Sequence, residues 1–161
     1  MSHEHGPVVL GKGEGTTIEG PAGGPLTFKV RGAQTDGTLT AFENVIAPGD
    51  GPPLHRHERE GESWYVIEGS LRFMLGSDIR RAPAGSFIYV PPRTPHCFQN
   101  IGDAPARILV MFSPAGMEAF FDRFAELSPG SVDPGVFAQL GRDVGMEVLG
   151  PPLAVSDPMS I

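Results

Sequence analysis

The chain has 161 residues, a length that suits one domain with a buried core. Its 12 basic and 19 acidic residues give a net charge of −7 at pH 7, which argues against nucleic acid as a partner. The single cysteine cannot close an internal disulfide, and no apolar run approaches the roughly 20 residues that a membrane span needs. We therefore expect a cytoplasmic protein with no membrane partner.

The segment from residue 26 to residue 112 is typical of a strand-and-turn protein. The 22 glycines and 17 prolines are spread over the whole chain, as in a protein with many short elements joined by tight turns. Residues 1–25 are predicted to be an N-terminal arm or first strand, and residues 26–112 a β-barrel. Seven short apolar or alternating runs within 26–112 are candidate strands: 26–31, 38–46, 64–67, 71–75, 86–90, 96–100 and 107–112. No helical pattern precedes Pro114, so an all-β jelly roll or small barrel is favoured over an α/β fold.

Residues 113–161 are predicted to be a C-terminal helical extension. Four apolar residues recur at helical spacing after Ser113-Pro114, which would supply the cap and first turn: Met117, Phe120, Phe121 and Phe124. A second helix is predicted to begin at Asp133-Pro134 and to end near Gly145. We interpret the phenylalanine stripe as packing, either outside the barrel or on a partner subunit, and not as a cofactor site.

Two histidines, His55 and His57, are candidate metal ligands. Alternate residues of a strand share a face and lie about 6.6 Å apart, so two imidazoles could reach one ion. A His-x-His pair is also compatible with ordinary surface or core histidines, and it needs further ligands to indicate a metal.

Glu62 and His96 are the candidates for those further ligands. Glu62 would face the apolar interior with Trp64, where a carboxylate is costly unless it is paired or binds a metal. Its rivals Glu58 and Glu60 lie in a charged stretch that we interpret as a solvated turn. His96 lies far along the chain, so only a folded barrel could bring it to the others.

The spacing around these residues resembles both motifs of the cupin superfamily. Gly49 is followed by five residues, His55, one residue, His57, four residues, Glu62, six residues and Gly69, which matches the first motif throughout. The second motif is matched by Gly85, Pro91, His96 and Asn100. The two motifs cover about 37 residues of the chain. A departure is Arg93, where the family usually has glycine, which implies a different turn or a side chain directed at the cavity mouth.

The resemblance implies a jelly-roll barrel that holds one divalent transition metal on His55, His57, Glu62 and His96, with the motif glycines and Asn100 holding turns. Three imidazoles and a carboxylate suit Fe, Mn, Ni, Co or Zn and leave one or two coordination positions open. Three aromatic side chains could line a substrate pocket or fill the core, and both interpretations stay open: Trp64, Phe73 and Phe98.

Three functions are compatible with such a site. Similarity to bacterial quercetinase-like cupins implies a metal-dependent dioxygenase for a small aromatic or enol substrate, with Glu62 as both ligand and base. A metal-dependent isomerase or lyase, and a non-catalytic barrel that binds a small molecule, are the alternatives. Related barrels commonly pair, so a homodimer is expected. The N-terminal His3 and His5 are set aside as part of an unanchored segment, and Cys97 as an apolar filler.

Overall fold

The computed structural model describes residues 6–127 and 132–159. These ranges form eleven strands, three α-helices and one 3-10 turn. The strands are β1 (Thr16–Glu19), β2 (Pro25–Val30), β3 (Thr40–Ile46), β4 (Pro53–His57), β5 (Gly61–Glu68), β6 (Ser70–Leu75), β7 (Asp78–Pro83), β8 (Phe87–Val90), β9 (His96–Asn100), β10 (Ala106–Ser113) and β11 (Met146–Pro152). The helices are α1 (Glu118–Ala125), α2 (Pro134–Arg142) and α3 (Leu153–Ser156), and the 3-10 turn is Gly32–Gln34. None of these helices is long and apolar enough to cross a membrane.

The strands form two sheets with antiparallel pairing. One sheet has the order β1-β2-β3-β10-β5-β8, and the other has the order β11-β4-β9-β6-β7. Alternate residues of each strand are buried between the sheets, as on β10, where Ile108, Val110 and Phe112 are buried. The predicted all-β jelly-roll fold is confirmed.

All seven predicted strands are present, with ends that differ by up to three residues. Four others, β1, β4, β7 and β11, have no alternating apolar pattern that would indicate them. The polar edge strand β7 is mostly exposed, and β11 contains Gly150 and two prolines. Strand β11 lies beside β4, with Val148 opposite His55. The C-terminal region therefore adds a strand to the barrel as well as helices.

Both predicted long helices are present, but the start of the first was predicted wrongly. Ser113 does not cap a helix, because it is the last residue of β10 and pairs with Gly61 on β5. Helix α1 follows Met117 instead. Helix α2 begins as predicted, with the Asp133 carboxylate accepting a hydrogen bond from the backbone N–H of Val136 at 2.8 Å, and it ends at Arg142.

The two helices close one end of the barrel through aromatic contacts. The Phe121 ring lies 4.9 Å from that of Phe42 on β3, and the Phe120 ring lies 5.1 Å from that of Phe137 on α2. An ion pair of 2.7 Å between Arg31 and Asp122 fixes α1 to the end of β2. The phenylalanine stripe therefore packs on the barrel, as predicted, and it also forms the roof of an internal cavity.

Candidate metal centre

The four candidate ligands come from three strands on the two sheets. Strands β4 and β9 are neighbours, and His55 lies directly opposite His96. His57 follows two positions along β4, so it shares the inward face with His55. Glu62 lies near the start of β5 in the opposite sheet, where it pairs with Phe112. The barrel thus brings together residues that are up to 41 positions apart in the sequence (96 minus 55).

The four side chains are buried and converge on one point. Each offers one ligand atom, and these atoms all lie within 4.8 Å of one another. Oε2 of Glu62 lies 3.0 Å from Nε2 of His57 and 2.9 Å from Nε2 of His96. Adjacent ligands of a six-coordinate ion with bonds of about 2.1 Å are separated by about 3.0 Å, so these two distances fit a metal centre.

Hydrogen bonds to backbone carbonyls determine which ring nitrogen of His55 and of His96 faces the point where the four side chains converge. Nδ1 of His55 lies 2.7 Å from the carbonyl oxygen of Pro53, and Nδ1 of His96 lies 2.8 Å from that of Thr94. A carbonyl can only accept, so Nδ1 carries the proton and Nε2 of a neutral ring presents its lone pair. In His96 that lone pair would face a carboxylate oxygen, which is repulsive unless a proton or a metal ion lies between them.

Burial and neighbouring side chains set the protonation states of Glu62 and His55. Burial alone would raise the pKa of Glu62, but the contacts with His57 and His96 outweigh it and lower that pKa to about 2. Burial lowers the pKa of His55 well below 6.5, and the nearby His96 and His57 lower it further. At neutral pH the Glu62 carboxylate is therefore ionised and the His55 imidazole is neutral, which are the forms that bind metal.

Two buried side chains at the centre, His57 and Glu60, each have a polar atom without a hydrogen-bond partner among the described residues. Nδ1 of His57 is buried and has no hydrogen-bond partner among the described residues. Glu60, predicted to lie in a solvated turn, is 2% exposed, and its Oε2 also has no partner there. The solvated-turn interpretation was wrong for Glu60, because this residue shares the inward side of the chain with Glu62 and lies beside Gly116, just ahead of α1. Glu58 is exposed, as expected.

The residues expected to hold turns do so. Gly49, Gly69 and Gly85 all have positive φ angles, of 77°, 90° and 90°. The Asn100 amide donates to the carbonyl oxygens of Ile46 and Ala104, and it accepts from the backbone N–H of Gly102.

Arg93 keeps the conformation expected of glycine. Its φ angle is 64°, and its backbone N–H donates to the carbonyl oxygen of His57 at 2.7 Å. Its side chain is exposed and does not line the cavity. The expectation of a side chain directed at the cavity mouth was therefore wrong, and the positive φ is the conformation that glycine adopts readily. The arginine tolerates a left-handed conformation that costs about 1 kcal/mol.

A cavity of about 580 Å³ lies above the four residues, between the sheets and under α1 and α2. His55, His57 and Glu62 form part of its wall, as do Trp64 and Phe98. Phe73, predicted with them as a pocket residue, lies behind them in the core, with its ring 5.2 Å from that of Trp64. The cavity is of the size that binds drug-sized molecules.

Two groups of cavity residues were not predicted as site residues. The helix phenylalanines Phe121 and Phe124 line the roof. Asn44 lines the wall on β3, where it interrupts the buried positions Phe42 and Ile46. A polar residue on the inward face of a predicted strand was the signal that could have identified Asn44. Cys97 is buried outside the four-residue group, and burial raises the pKa of its thiol to about 11. His3 and His5 lie outside the described residues.

Comparison with known proteins places the barrel in a family. Residues 42–112 match the family model of the cupin domain. An uncharacterised protein of Methanocaldococcus jannaschii is 36% identical over 67 residues, which are 42% of this chain and 54% of that protein. The tetracenomycin polyketide synthase protein TcmJ of Streptomyces glaucescens is 31% identical over 80 residues, which are 50% of this chain and 52% of that protein. The chain thus spans about half the length of these two curated relatives.

Solved structures share the fold. An RmlC-like cupin from Shewanella frigidimarina superposes with a TM-score of 0.58 at 20% identity, over 73% of this chain and 96% of that chain. The matched domain contains the three strands that carry the four candidate ligands, since residues 55–96 lie within residues 42–112. From this match, the two-sheet barrel and the motif spacing, we conclude that residues 42–112 form a cupin domain.

Proposed function

We propose that this cupin-domain protein is a metal-dependent dioxygenase that acts on a small aromatic or enol substrate. The observation that carries the proposal is the position of the centre at a cavity: His55, His57 and Glu62 form part of the cavity wall, and the other surfaces of the cavity are largely aromatic and aliphatic. A chemically active group at the base of an apolar cavity suits a flat, uncharged substrate with one polar group directed at the centre.

The charge of the cavity supports this substrate class. None of the described residues that line it is a lysine or an arginine. Apart from the proposed metal ion, no cation of the described residues lines the cavity, so a carboxylate or phosphate group remote from the centre would be buried near Asp133 without a cationic partner, which is costly. A phenol, a catechol or an enol avoids this cost, and its ring can pack against Trp64 or Phe98.

The two carboxylate oxygens of Glu62 suit two tasks. Oε2 is shared between His57 and His96, whereas Oε1 has no hydrogen bond to any described residue. Since Glu62 lines the cavity, Oε1 can receive the proton of a substrate hydroxyl while Oε2 keeps its contacts. A divalent metal held by the four residues would supply Lewis-acid polarisation of a substrate oxygen and electron transfer toward dioxygen. The apolar roof of α1 and α2 would keep bulk water from the reacting atoms.

The name of one relative suggests a further class of test compound. TcmJ, which is 31% identical over 80 residues, is named as a tetracenomycin polyketide synthase protein. Polyketide chains carry ketone and enol groups, which are of the kind that we propose to meet the centre. We therefore include such compounds in the test panel.

Oxygen uptake tests the proposal. The protein as purified would be incubated with flavonols, catechols and hydroxylated polycyclic aromatics, in air and under argon, with His96→Ala as the control variant. We expect uptake with at least one compound, and loss of uptake in the variant. Turnover that is equal with and without air would show an isomerase or lyase instead. Tight binding of a compound with no turnover in either condition would show a binding barrel.

A further inference from the structure

The cavity contains a polar position remote from the metal centre. Asn44 is 5% exposed and lines the cavity from β3, yet its Oδ1 is buried without a hydrogen-bond partner among the described residues. No other hydrogen bond of this side chain to the described part of the protein is present. A buried amide without partners costs free energy, so its retention needs a reason outside the fold.

The other buried asparagine of the barrel shows the contrast. Asn100 is 1% exposed, and its amide makes three hydrogen bonds with Ile46, Ala104 and Gly102. Asn100 therefore stabilises the fold through hydrogen bonds, whereas the side-chain amide of Asn44 forms none with the described residues. This difference indicates a ligand as the missing partner of Asn44.

The sheet register sets the distance between this amide and the metal centre. Asn44 lies opposite Ile108 of β10, and Glu62 lies opposite Phe112 of the same strand. These two positions of β10 are separated by four residues, or about 13 Å along the strand, and β3 and β5 lie on opposite sides of β10, about 10 Å apart. The row between them carries Trp64, which lines the same cavity and whose indole N–H has no hydrogen-bond partner among the described residues. Asn44 thus lies at the far end of a path that begins at Glu62.

We propose that Asn44 is a specificity residue that binds a hydroxyl or carbonyl group on the distal ring of a multi-ring aromatic substrate. The inference rests on the proposed aromatic substrate and adds to it a second polar group, roughly two rings from the group that meets the metal centre. An amide can both donate and accept, so it can satisfy a phenolic hydroxyl in either sense. A ligand without that group leaves the amide unpaired and binds more weakly.

Calorimetric titration with three flavones tests the inference. 3-Hydroxyflavone lacks a distal hydroxyl, and 3,4′-dihydroxyflavone and 3,7-dihydroxyflavone each carry one on a different ring. The titrations are made under argon with the protein as purified, so that binding is measured without turnover. We expect at least one dihydroxyflavone to bind about tenfold more tightly than 3-hydroxyflavone.

Two variants separate recognition from packing. In Asn44→Leu the advantage of the dihydroxyflavone should fall below about twofold, while 3-hydroxyflavone binds as well as or better than before. In Phe124→Leu, a change to the apolar roof, the three affinities should change together and keep their ratio. Asn44→Leu should also unfold at or above the temperature of the unchanged protein, and Asn44→Ala serves for the titrations if the leucine variant does not fold.

The outcomes distinguish this inference from the proposed function. An advantage that persists in Asn44→Leu, or no advantage in the unchanged protein, would overturn the role of Asn44 and leave the dioxygenase proposal standing. Failure of all three flavones to bind would refute the aromatic substrate itself, and the inference would fall with it.

Discussion

The pH dependence of stability tests the electrostatics of the four-residue centre in the metal-free protein. The contacts with His57 and His96 lower the pKa of Glu62 from 4.5 to about 2 against the effect of burial. A carboxyl group with this lowered pKa stabilises the folded state by about 3 kcal/mol at pH values above 4.5. Because the pKa is lowered on folding, the contribution is fully present above the unfolded pKa and is lost as pH falls through the folded value. Roughly half of it should remain at pH 3.

Glu62→Gln removes the charge and nearly keeps the shape. Urea unfolding of the chelator-treated protein, followed by the fluorescence of Trp64, the only tryptophan, would be compared for both proteins between pH 3 and pH 7. The free energy of unfolding should be about 3 kcal/mol lower in the variant at pH 7, and the difference should shrink toward pH 3. Glu68→Gln, which removes an exposed partner of Arg107, should give a small difference at all pH values. If the difference in unfolding free energy caused by Glu62→Gln does not change with pH, the pKa of Glu62 is not lowered on folding.

Two further predictions concern the cavity and the second motif. The Trp64 ring lies 5.3 Å from that of His96, so Co(II) added to metal-free protein should quench the Trp64 fluorescence. The quenching should saturate near one equivalent of Co(II). Equal quenching in His96→Ala would show that the ion binds elsewhere. Arg93→Gly should raise the free energy of unfolding by up to about 1 kcal/mol in urea titrations, because glycine adopts a φ of 64° without strain; a loss of stability would show that the arginine side chain contributes more than its backbone conformation costs.

The four candidate ligands could be predicted from the sequence because their spacing resembles two motifs of a known family, although His96 is 34 positions from Glu62. His55 and His57 share a face by the alternation of a strand, and the motif spacing pointed to Glu62 and His96. The structure then brings the four together through pairing of β4 with β9 and the approach of β5 from the other sheet. Local pattern and long-range topology agree at this site.

Other features depend on contacts that no local pattern records. The burial of Glu60 results from the packing of the chain ahead of α1, and the charged sequence around it predicted the opposite. Strand β11 forms only because β4 offers an edge, since its own glycine and prolines disfavour a strand. The cavity roof depends on how α1 and α2 lie on the barrel. The cytoplasmic location and the homodimer stay predictions.

Elemental analysis shows whether the four residues bind a metal ion. The protein would be purified without a His-tag, and its transition-metal content measured per chain, together with that of His96→Ala. We expect about one ion of Fe, Mn, Ni, Co or Zn per chain in the unchanged protein, and a near-complete loss in the variant while its circular dichroism stays that of a folded barrel. Full metal occupancy in His96→Ala, or no metal in the unchanged protein after growth with these metals supplied, would contradict the four-residue centre.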